Sequence, residues 1–425
     1  MSKLHMSANE RESGTVPADG EEPVVAPRAE RLGAAIREHQ AGRVVEAERA
    51  YLALLDEHPD DADAAHFLGM LRFQAGELEA ALVLMRRSLE ADPANAHAWN
   101  NLGNMYVQIQ RDDQAKPAYL RATSLDDRLA PAWYNLGHVY IRERQFERAI
   151  EAVGIVARLR SGFGDALQTL ANLYYRLGRT DEARGVYEKW AEEAPDDPTP
   201  RHMLAAVTGR DVPDRADTRY IVKTFDGFAE TFNTQLARLD YVAPQLVAAR
   251  LIEHPLYLSG RATLLDAGCG TGWCGPLLRS TAGRLVGVDL STGMLAQARE
   301  RNVYDELHEA ELTAFMVARP ATFDIIVSAD VLIYFGRLEG AVSAAHDALL
   351  AGGLLCFSVE ALGDAAAGEC FRLGIHGRYA HARPYLERVL SDAGFEPPGI
   401  ETVVLRRELG QPVEGYLVSG RRSAR

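Results

Sequence analysis

The stretch from Leu264 to Asp289 constrains its part of the chain more than any other. Leu264-Leu265-Asp266-Ala267 is apolar and strand-like, and Gly268-Cys269-Gly270-Thr271-Gly272 follows as a glycine-rich turn. Val286-Gly287-Val288-Asp289 is a second apolar strand that ends in a carboxylate. Strand, tight turn, helix and strand in this order predict a parallel βαβ unit, with a ligand at the carboxyl ends of the strands. Glycine lets the backbone turn sharply and lets a ligand approach where a Cβ would clash. Asp289 at a strand tip can accept hydrogen bonds from two ribose hydroxyls, so the unit reads as a nucleoside site.

Two frames fit the turn. Gly270, Gly272 and Gly275 match the G-x-G-x-x-G pattern of dinucleotide sites. The frame that starts at Asp266 reads Asp-x-Gly-x-Gly-x-Gly, and a carboxylate there would repel a pyrophosphate. The same carboxylate suits a ligand that carries an ammonium and a sulfonium. In the second frame the stretch resembles class I S-adenosylmethionine-dependent methyltransferases, over about residues 220–425. The resemblance implies a seven-stranded Rossmann-like α/β sheet and S-adenosylmethionine as cofactor. It assigns Asp266, Gly268, Cys269, Gly270 and Gly272 to the cofactor loop and Asp289 to the ribose. Met294, in Ser291-Thr292-Gly293-Met294-Leu295, would flank the adenine. Glu311 stands where the family often has an aspartate facing the adenine amino group. Asp330 follows the fourth strand, Phe323 to Ser328, at the lip of the site. Gly352 to Glu360 resembles the fifth strand, and Gly399 to Arg407 with Gly415 to Arg421 resembles the reversed hairpin that closes such sheets.

Ahead of this region, residues 28–197 repeat with a period of 34. Ala98-Trp99-Asn100-Asn101-Leu102-Gly103 returns as Ala132-Trp133-Tyr134-Asn135-Leu136-Gly137. A small residue recurs at Ala47, Ala81, Ala115, Ala149 and Ala183, followed by Tyr51, Met85, Tyr119, Val153 and Tyr187. This is the tetratricopeptide pattern, and it predicts five helix–turn–helix units stacked into an all-α superhelix. One hairpin cannot bury its own apolar face, so neighbouring units must stack. Trp99 and Trp133 read as packing residues. Asn101, Asn104 and Asn135 read as a concave face able to hydrogen-bond an extended protein or peptide partner. Residues 198–219 read as a capping helix and linker, and residues 1–27, rich in Ser, Glu, Pro and Gly, as a disordered tail.

Two segments point to the methyl acceptor. Phe225, Phe228, Ala229 and Phe232 fall on one helical face, and the segment resembles the aromatic lid of trans-aconitate and malonyl-carrier methyltransferases. Phe225 would cover the cofactor and Phe228 the acceptor. Phe371 to Arg383 gathers Arg372, Arg378, Arg383, His376 and His381 in an otherwise acidic chain. Arginine forks suit a carboxylate. Arg378, Tyr379 and Arg383 are therefore expected to bind an anionic acceptor, a small molecule, a peptide or a carrier-bound group. His381 or His376 could move a proton, because imidazole titrates near neutrality. Tyr334, beyond the fourth strand, is a further catalytic candidate.

A net charge of −14 speaks against a nucleic-acid partner bound through a general basic face. The chain has no apolar run long enough to span a membrane, so no membrane partner is expected. The four cysteines, Cys269, Cys274, Cys356 and Cys370, lack metal spacing and read as reduced thiols of a cytoplasmic protein, with no metal and possible homo-oligomers. From about residue 28 the chain resembles the bacterial tetratricopeptide-repeat methyltransferases. Two alternatives remain open in the residues. One is a repeat scaffold that binds the cofactor without turnover, and the other is a nicotinamide oxidoreductase.

Overall fold

A computed structural model describes residues 26–160, 163–229, 231–237, 239–253, 259–364, 368–408 and 410–424. The expected tail at residues 1–27 lies almost wholly outside the described residues. The chain divides into two compact units, residues 1–145 and 146–425. This break falls inside the repeat array, whereas the linker at 198–219 was the expected boundary.

The first unit contains helices α1 (Arg28–Gln40), α2 (Val44–Glu57), α3 (Ala62–Gln74), α4 (Leu78–Ala91), α5 (Ala96–Gln108), α6 (Asp112–Leu125) and α7 (Ala130–Arg142). Asp61 and Asn95 cap α3 and α5 by accepting the backbone N–H of Ala64 and Ala98. Ala47, Ala81 and Ala115 are fully buried where helices cross, and Tyr51, Met85 and Tyr119 fill the holes beside them. A methyl group on Gly103 would lie 2.5 Å from the Tyr119 ring, which explains the glycine of the Leu-Gly pair. Trp99 and Trp133 are half-buried, and each indole N–H donates to a carbonyl of the turn before its helix, Pro93 O at 3.0 Å and Asp127 O at 2.8 Å.

The second unit starts with α8 (Phe146–Leu159), α9 (Gly164–Arg176), α10 (Thr180–Glu193) and α11 (Pro198–Thr208). Ala149, Val153, Ala183 and Tyr187 keep the repeat's pattern of burial, and Met203 of α11 joins the core of α9 and α10 with Tyr187 and Trp190. Pro198 begins α11 rather than breaking a helix, because the first turn needs no amide donor there and Asp197 accepts the N–H of Thr199. The segment after α11 is not a free linker. Arg215 bridges to Phe335, Ala216 N–H donates to Tyr334 O, and Asp214 O accepts from Gly336 and Arg337.

Helix α12 (Thr218–Phe228) leads into the sheet. Its strands are β1 (Ala262–Ala267), β2 (Ala282–Asp289), β3 (Glu306–Glu309), β4 (Phe323–Ser328), β5 (Leu349–Ala361), β6 (Phe371–Leu373), β7 (Tyr379–His381), β8 (Gly399–Glu408) and β9 (Gln411–Arg421). Strands β3-β2-β1-β4-β5 are parallel, and the β8–β9 hairpin adds antiparallel β9 to the edge of β5. Alternate residues enter two cores. Leu265, Val286, Ile326 and Phe357 face one, and Leu264, Leu285, Ile325 and Cys356 face the other. Burial on both faces accounts for the continuous apolar runs of these strands. The short β6–β7 hairpin was read from sequence as part of a basic cluster. It pairs through β7 with the last residues of β5, Glu360 and Ala361. No helix among the described residues is long and apolar enough to cross a membrane.

Candidate functional site

A cavity of about 250 Å³ opens at the carboxyl ends of β1, β2 and β4. Gly268, Cys269 and Gly270 form one wall, and Asp289, Met294, Glu311 and Asp330 contribute beside them. Gly268 has φ +79°, and a methyl group there would lie 2.3 Å from Val331, so this position excludes a side chain. Gly270 has φ +53° and open space where a Cβ would stand, which leaves its backbone accessible. Asp289 accepts the N–H of Gly270 at 2.8 Å on one carboxylate oxygen and that of Ser291 at 2.9 Å on the other. The carboxylate is thereby oriented at the cavity wall, with lone pairs left for a ligand. Ser291 caps the helix Thr292–Glu300 by accepting from Met294 N–H, which seats Met294 against the wall.

Several expected cofactor residues have other duties. Asp266 and Gly272 are not among the residues that line the cavity. Asp266 is 1% exposed and accepts the Tyr304 hydroxyl at 2.6 Å, while its Oδ1 has no partner. Burial, with Asp289 nearby, pushes its carboxyl up to about 7 against the opposing effect of the Tyr304 hydrogen bond. Gly272 packs against Tyr304 and Arg301 beneath the loop. Glu311 lines the cavity, but its carboxylate accepts the N–H groups of Thr313 and Ala314 and pairs with Arg215. It caps the helix Leu312–Val317, so a contact to an adenine amino group would have to compete with these bonds.

Part of the cavity lining is aromatic. Phe225, Phe232, Tyr241, Trp273 and Tyr334 line it. Phe225 meets Tyr334 edge-on at 5.5 Å and Phe232 at 5.9 Å. The aromatic face expected to be one helix is two, because α12 ends at Phe228 and Phe232 starts the helix Phe232–Ala237. The side chain of Phe228 lies outside the described residues.

Beside Tyr241 and Tyr334 two arginines meet three carboxylates. Arg406 is 4% exposed and donates to Asp330, Glu360 and Glu408. Arg378 donates to Glu360 at 2.7 Å and to Glu408 at 2.6 Å. Ser358 donates to Asp330 at 2.9 Å, and Asp330 sits at φ +56°, an uncommon conformation fixed by this network. Burial alone would raise Glu360, but Arg378, His376 and Arg406 hold it below the usual carboxylate range. Of the five charged groups, Asp330, Arg378, Arg406 and Glu408 line the cavity.

The remaining acceptor candidates are corrected by their surroundings. His381 is fully buried, away from the cavity lining, and donates from Nε2 to Phe335 O at 2.9 Å and Gly336 O at 3.2 Å. Burial lowers it to about 4, and its carbonyl contacts hold the ring outside the cavity lining. His376 does not line the cavity, and its Nε2 stands 3.5 Å from Glu360. Burial and Arg378 lower its pKa. Tyr379 is buried and donates to Pro213 O. Arg383 is exposed and pairs with Glu387 one helical turn away, and Arg372 pairs with Glu369. Of the basic cluster only Arg378 reaches the cavity. The sequence reading missed Tyr304, Ser358, Glu360, Arg406 and Glu408. Their one linear signal is charge inside apolar strands, at Glu360 in β5 and at Arg406 in β8.

These features suit S-adenosylmethionine. The glycine loop offers bare backbone, and Asp289 is oriented for hydroxyls. Asp266, at the end of β1 just before this loop, keeps one buried oxygen without a partner. Residues 265–357 match the family described as methyltransferase domain, and residues 32–96, 72–137 and 134–198 match tetratricopeptide repeat families. The malonyl-[acyl-carrier protein] O-methyltransferase of Enterobacter lignolyticus is 32% identical over 130 residues, which are 31% of this chain and 49% of that protein. The chain thus spans about half the length of that relative. Human methyltransferase-like protein 27 is 30% identical over 40% of this chain and 67% of its own length. Among solved structures, MamA aligns at 27% identity over 38% of this chain and 95% of its own, with a TM-score of 0.36. The chain belongs to the class I S-adenosylmethionine-dependent methyltransferases, with tetratricopeptide repeats ahead of the methyltransferase domain.

Proposed function

We propose that this protein methylates a carboxylate-bearing acceptor that enters the cavity beside its aromatic residues. The carrying observation is that Arg378, the one member of the basic cluster lining the cavity, shares its fork with Glu408, a residue whose side chain is 34% exposed. An acceptor carboxylate takes the place of Glu408 on Arg378, while the buried Glu360 stays. S-adenosylmethionine, when bound, supplies a methyl group that its sulfonium already makes electrophilic. The protein's part is to hold the acceptor in line and to exclude water, and proximity of this kind can be worth about 7–11 kcal/mol of barrier. Gly268, Gly270, Asp289 and Met294 hold the nucleoside, and Phe225 and Phe232 close over it. A carboxylate is ionised at neutral pH and gives up no proton on methylation. This agrees with a cavity whose described lining contains no histidine.

The repeat array supports a protein or peptide that carries the acceptor. The asparagines expected to bind such a partner are partly engaged with one another. Asn135 donates to Asn100 and Asn104, Tyr119 donates to Asn104, and Asn101 bonds His66. A peptide at this face meets an ordered polar ladder.

Two titrations test the reading. Calorimetry should show binding of S-adenosylmethionine and S-adenosylhomocysteine but not NADH. Asp289→Ala should lose roughly 1.5–3 kcal/mol for each charged hydrogen bond removed. Binding of NADH alone rejects the assignment. Hexanoate, a carboxylate with an apolar tail, should bind the S-adenosylhomocysteine complex. Glu408→Gln should tighten it by about tenfold, because charged hydrogen bonds are about twice as strong as neutral ones. Arg378→Ala should abolish it. Looser hexanoate binding in Glu408→Gln rejects displacement of Glu408.

A further inference from the structure

The turn that carries Arg378 is held from outside the sheet. Between β6 and β7, Gly377 N–H donates to Gly374 O and Gly374 N–H donates to Arg378 O, each at 2.8 Å. The tip of this turn, Gly377, is pressed against α11 and α12. His202 of α11 donates from Nε2 to Gly377 O at 2.9 Å, although the two residues are 175 positions apart. A methyl group on Gly377 would stand 2.5 Å from the Tyr220 hydroxyl oxygen, 3.2 Å from Met203 Sδ and 3.5 Å from His202. The His202 ring lies 4.5 Å from that of Tyr220, and both residues are buried. Gly377 has φ +77°, so a side chain is excluded on two grounds, contact and backbone conformation.

Around this contact Ala205 and Ala206 of α11 form a small apolar core with Leu373 and Tyr379, the residues at which the hairpin's strands leave and re-enter the turn. The turn places His376 beside Glu360, and Arg378 between Glu360 and Glu408. The same helix, α11, shares the core of α9 and α10 through Met203. One helix therefore contacts both the last repeat and the turn that presents the acceptor's arginine.

We infer that His202, with Tyr220, is a positioning residue that fixes the Gly374–Arg378 turn on helix α11, so that the end of the repeat array sets where Arg378 stands in the acceptor pocket. The inference rests on the proposed acceptor role of Arg378. The geometry of the turn can be tested without it.

The test is hydrogen exchange on the full chain loaded with S-adenosylhomocysteine, comparing wild type with His202→Phe, His202→Gln and Gly377→Ala. Phenylalanine keeps the ring and removes the donor, and glutamine restores an N–H donor. Loss of the hydrogen bond should raise exchange of the Gly374 and Gly377 amides by about tenfold or more. The strands β1 to β5 should stay protected, and cofactor affinity should change by less than about twofold. His202→Gln should return the turn close to wild-type exchange. Gly377→Ala leaves α11 itself unaltered and should free the same amides. Unchanged exchange in both His202→Phe and Gly377→Ala overturns the inference. Exchange raised equally in β1–β5 by His202→Phe also overturns it, because His202 is then a general stabiliser. Failure of wild type to bind the cofactor rejects the proposed function, and the same exchange comparison on the ligand-free chain then tests the turn by itself.

Discussion

Asp266 gives the ligand-free protein a pH-dependent stability. Its carboxyl is raised to about 7 in the fold by burial, against the Tyr304 hydrogen bond, whereas an unfolded aspartate titrates near ~3.9. Between those values the native state keeps a proton that the unfolded state has released. Stability therefore falls as pH rises through this window and levels off above it, by up to about 4 kcal/mol. His381 acts in the opposite sense. Burial lowers it to about 4, so stability falls as pH drops from about 6.5 toward that value. The contribution of Asp266 is isolated by the difference between wild type and Asp266→Asn in urea unfolding. Asparagine should be the more stable form at pH 8, and the gap should shrink toward pH 4. A gap independent of pH contradicts the assignment.

At the scale of elements, the repeat helices are set by sterics and the sheet by burial on two faces. Gly103 in α5 has no room for a methyl beside the Tyr119 ring, which itself donates to Asn104. Gly103→Ala should cost about 1–3 kcal/mol through overpacking, read as a lower midpoint of thermal unfolding. Unchanged stability would mean that α5 and α6 slide apart freely. Such contacts are legible in sequence because the repeat recurs every 34 positions and its small and large residues follow in a fixed order. The glycine turn between β1 and β2 is legible for a similar reason, since the constraint is local. The β6–β7 hairpin was not legible. Its three-residue strands carry no periodicity, and β7 exists because β5 runs beyond the end of β4, whose last pair is Ser328 with Phe357, and offers a free edge there at Glu360 and Ala361.

At the scale of the whole molecule, helix α11 ties the last repeat helices to the sheet. Met203, Tyr187 and Trp190 form one core across α9, α10 and α11, and α11 contacts the β6–β7 hairpin. A fragment of residues 146–425 should therefore bind S-adenosylmethionine like the full chain. A fragment of residues 220–425, cut at the apparent domain boundary, removes α11 and the Arg215–Phe335 bridge and exposes Leu373 and Tyr379. It should aggregate or lose cofactor affinity by more than about tenfold. Equal affinity in the two fragments would show that α11 adds nothing to the site.

The sequence by itself determined the repeat superhelix, the parallel sheet and the glycine turn between β1 and β2. Each of these rests on residues close in the chain, or on a period that repeats the same local constraint. Tertiary structure decided the charged cluster beside the cavity. Asp330, Glu360, Arg378, Arg406 and Glu408 come from the ends of separate strands and one turn, and their pairing fixes which arginine is available to a ligand. Three arginines and two histidines in one short segment looked alike as a string. Burial separated them, because a charge is held by whatever partners the fold brings within hydrogen-bond reach. Arg378 was turned toward the cavity, His381 was sealed beneath Phe335, and Arg383 was left on the surface.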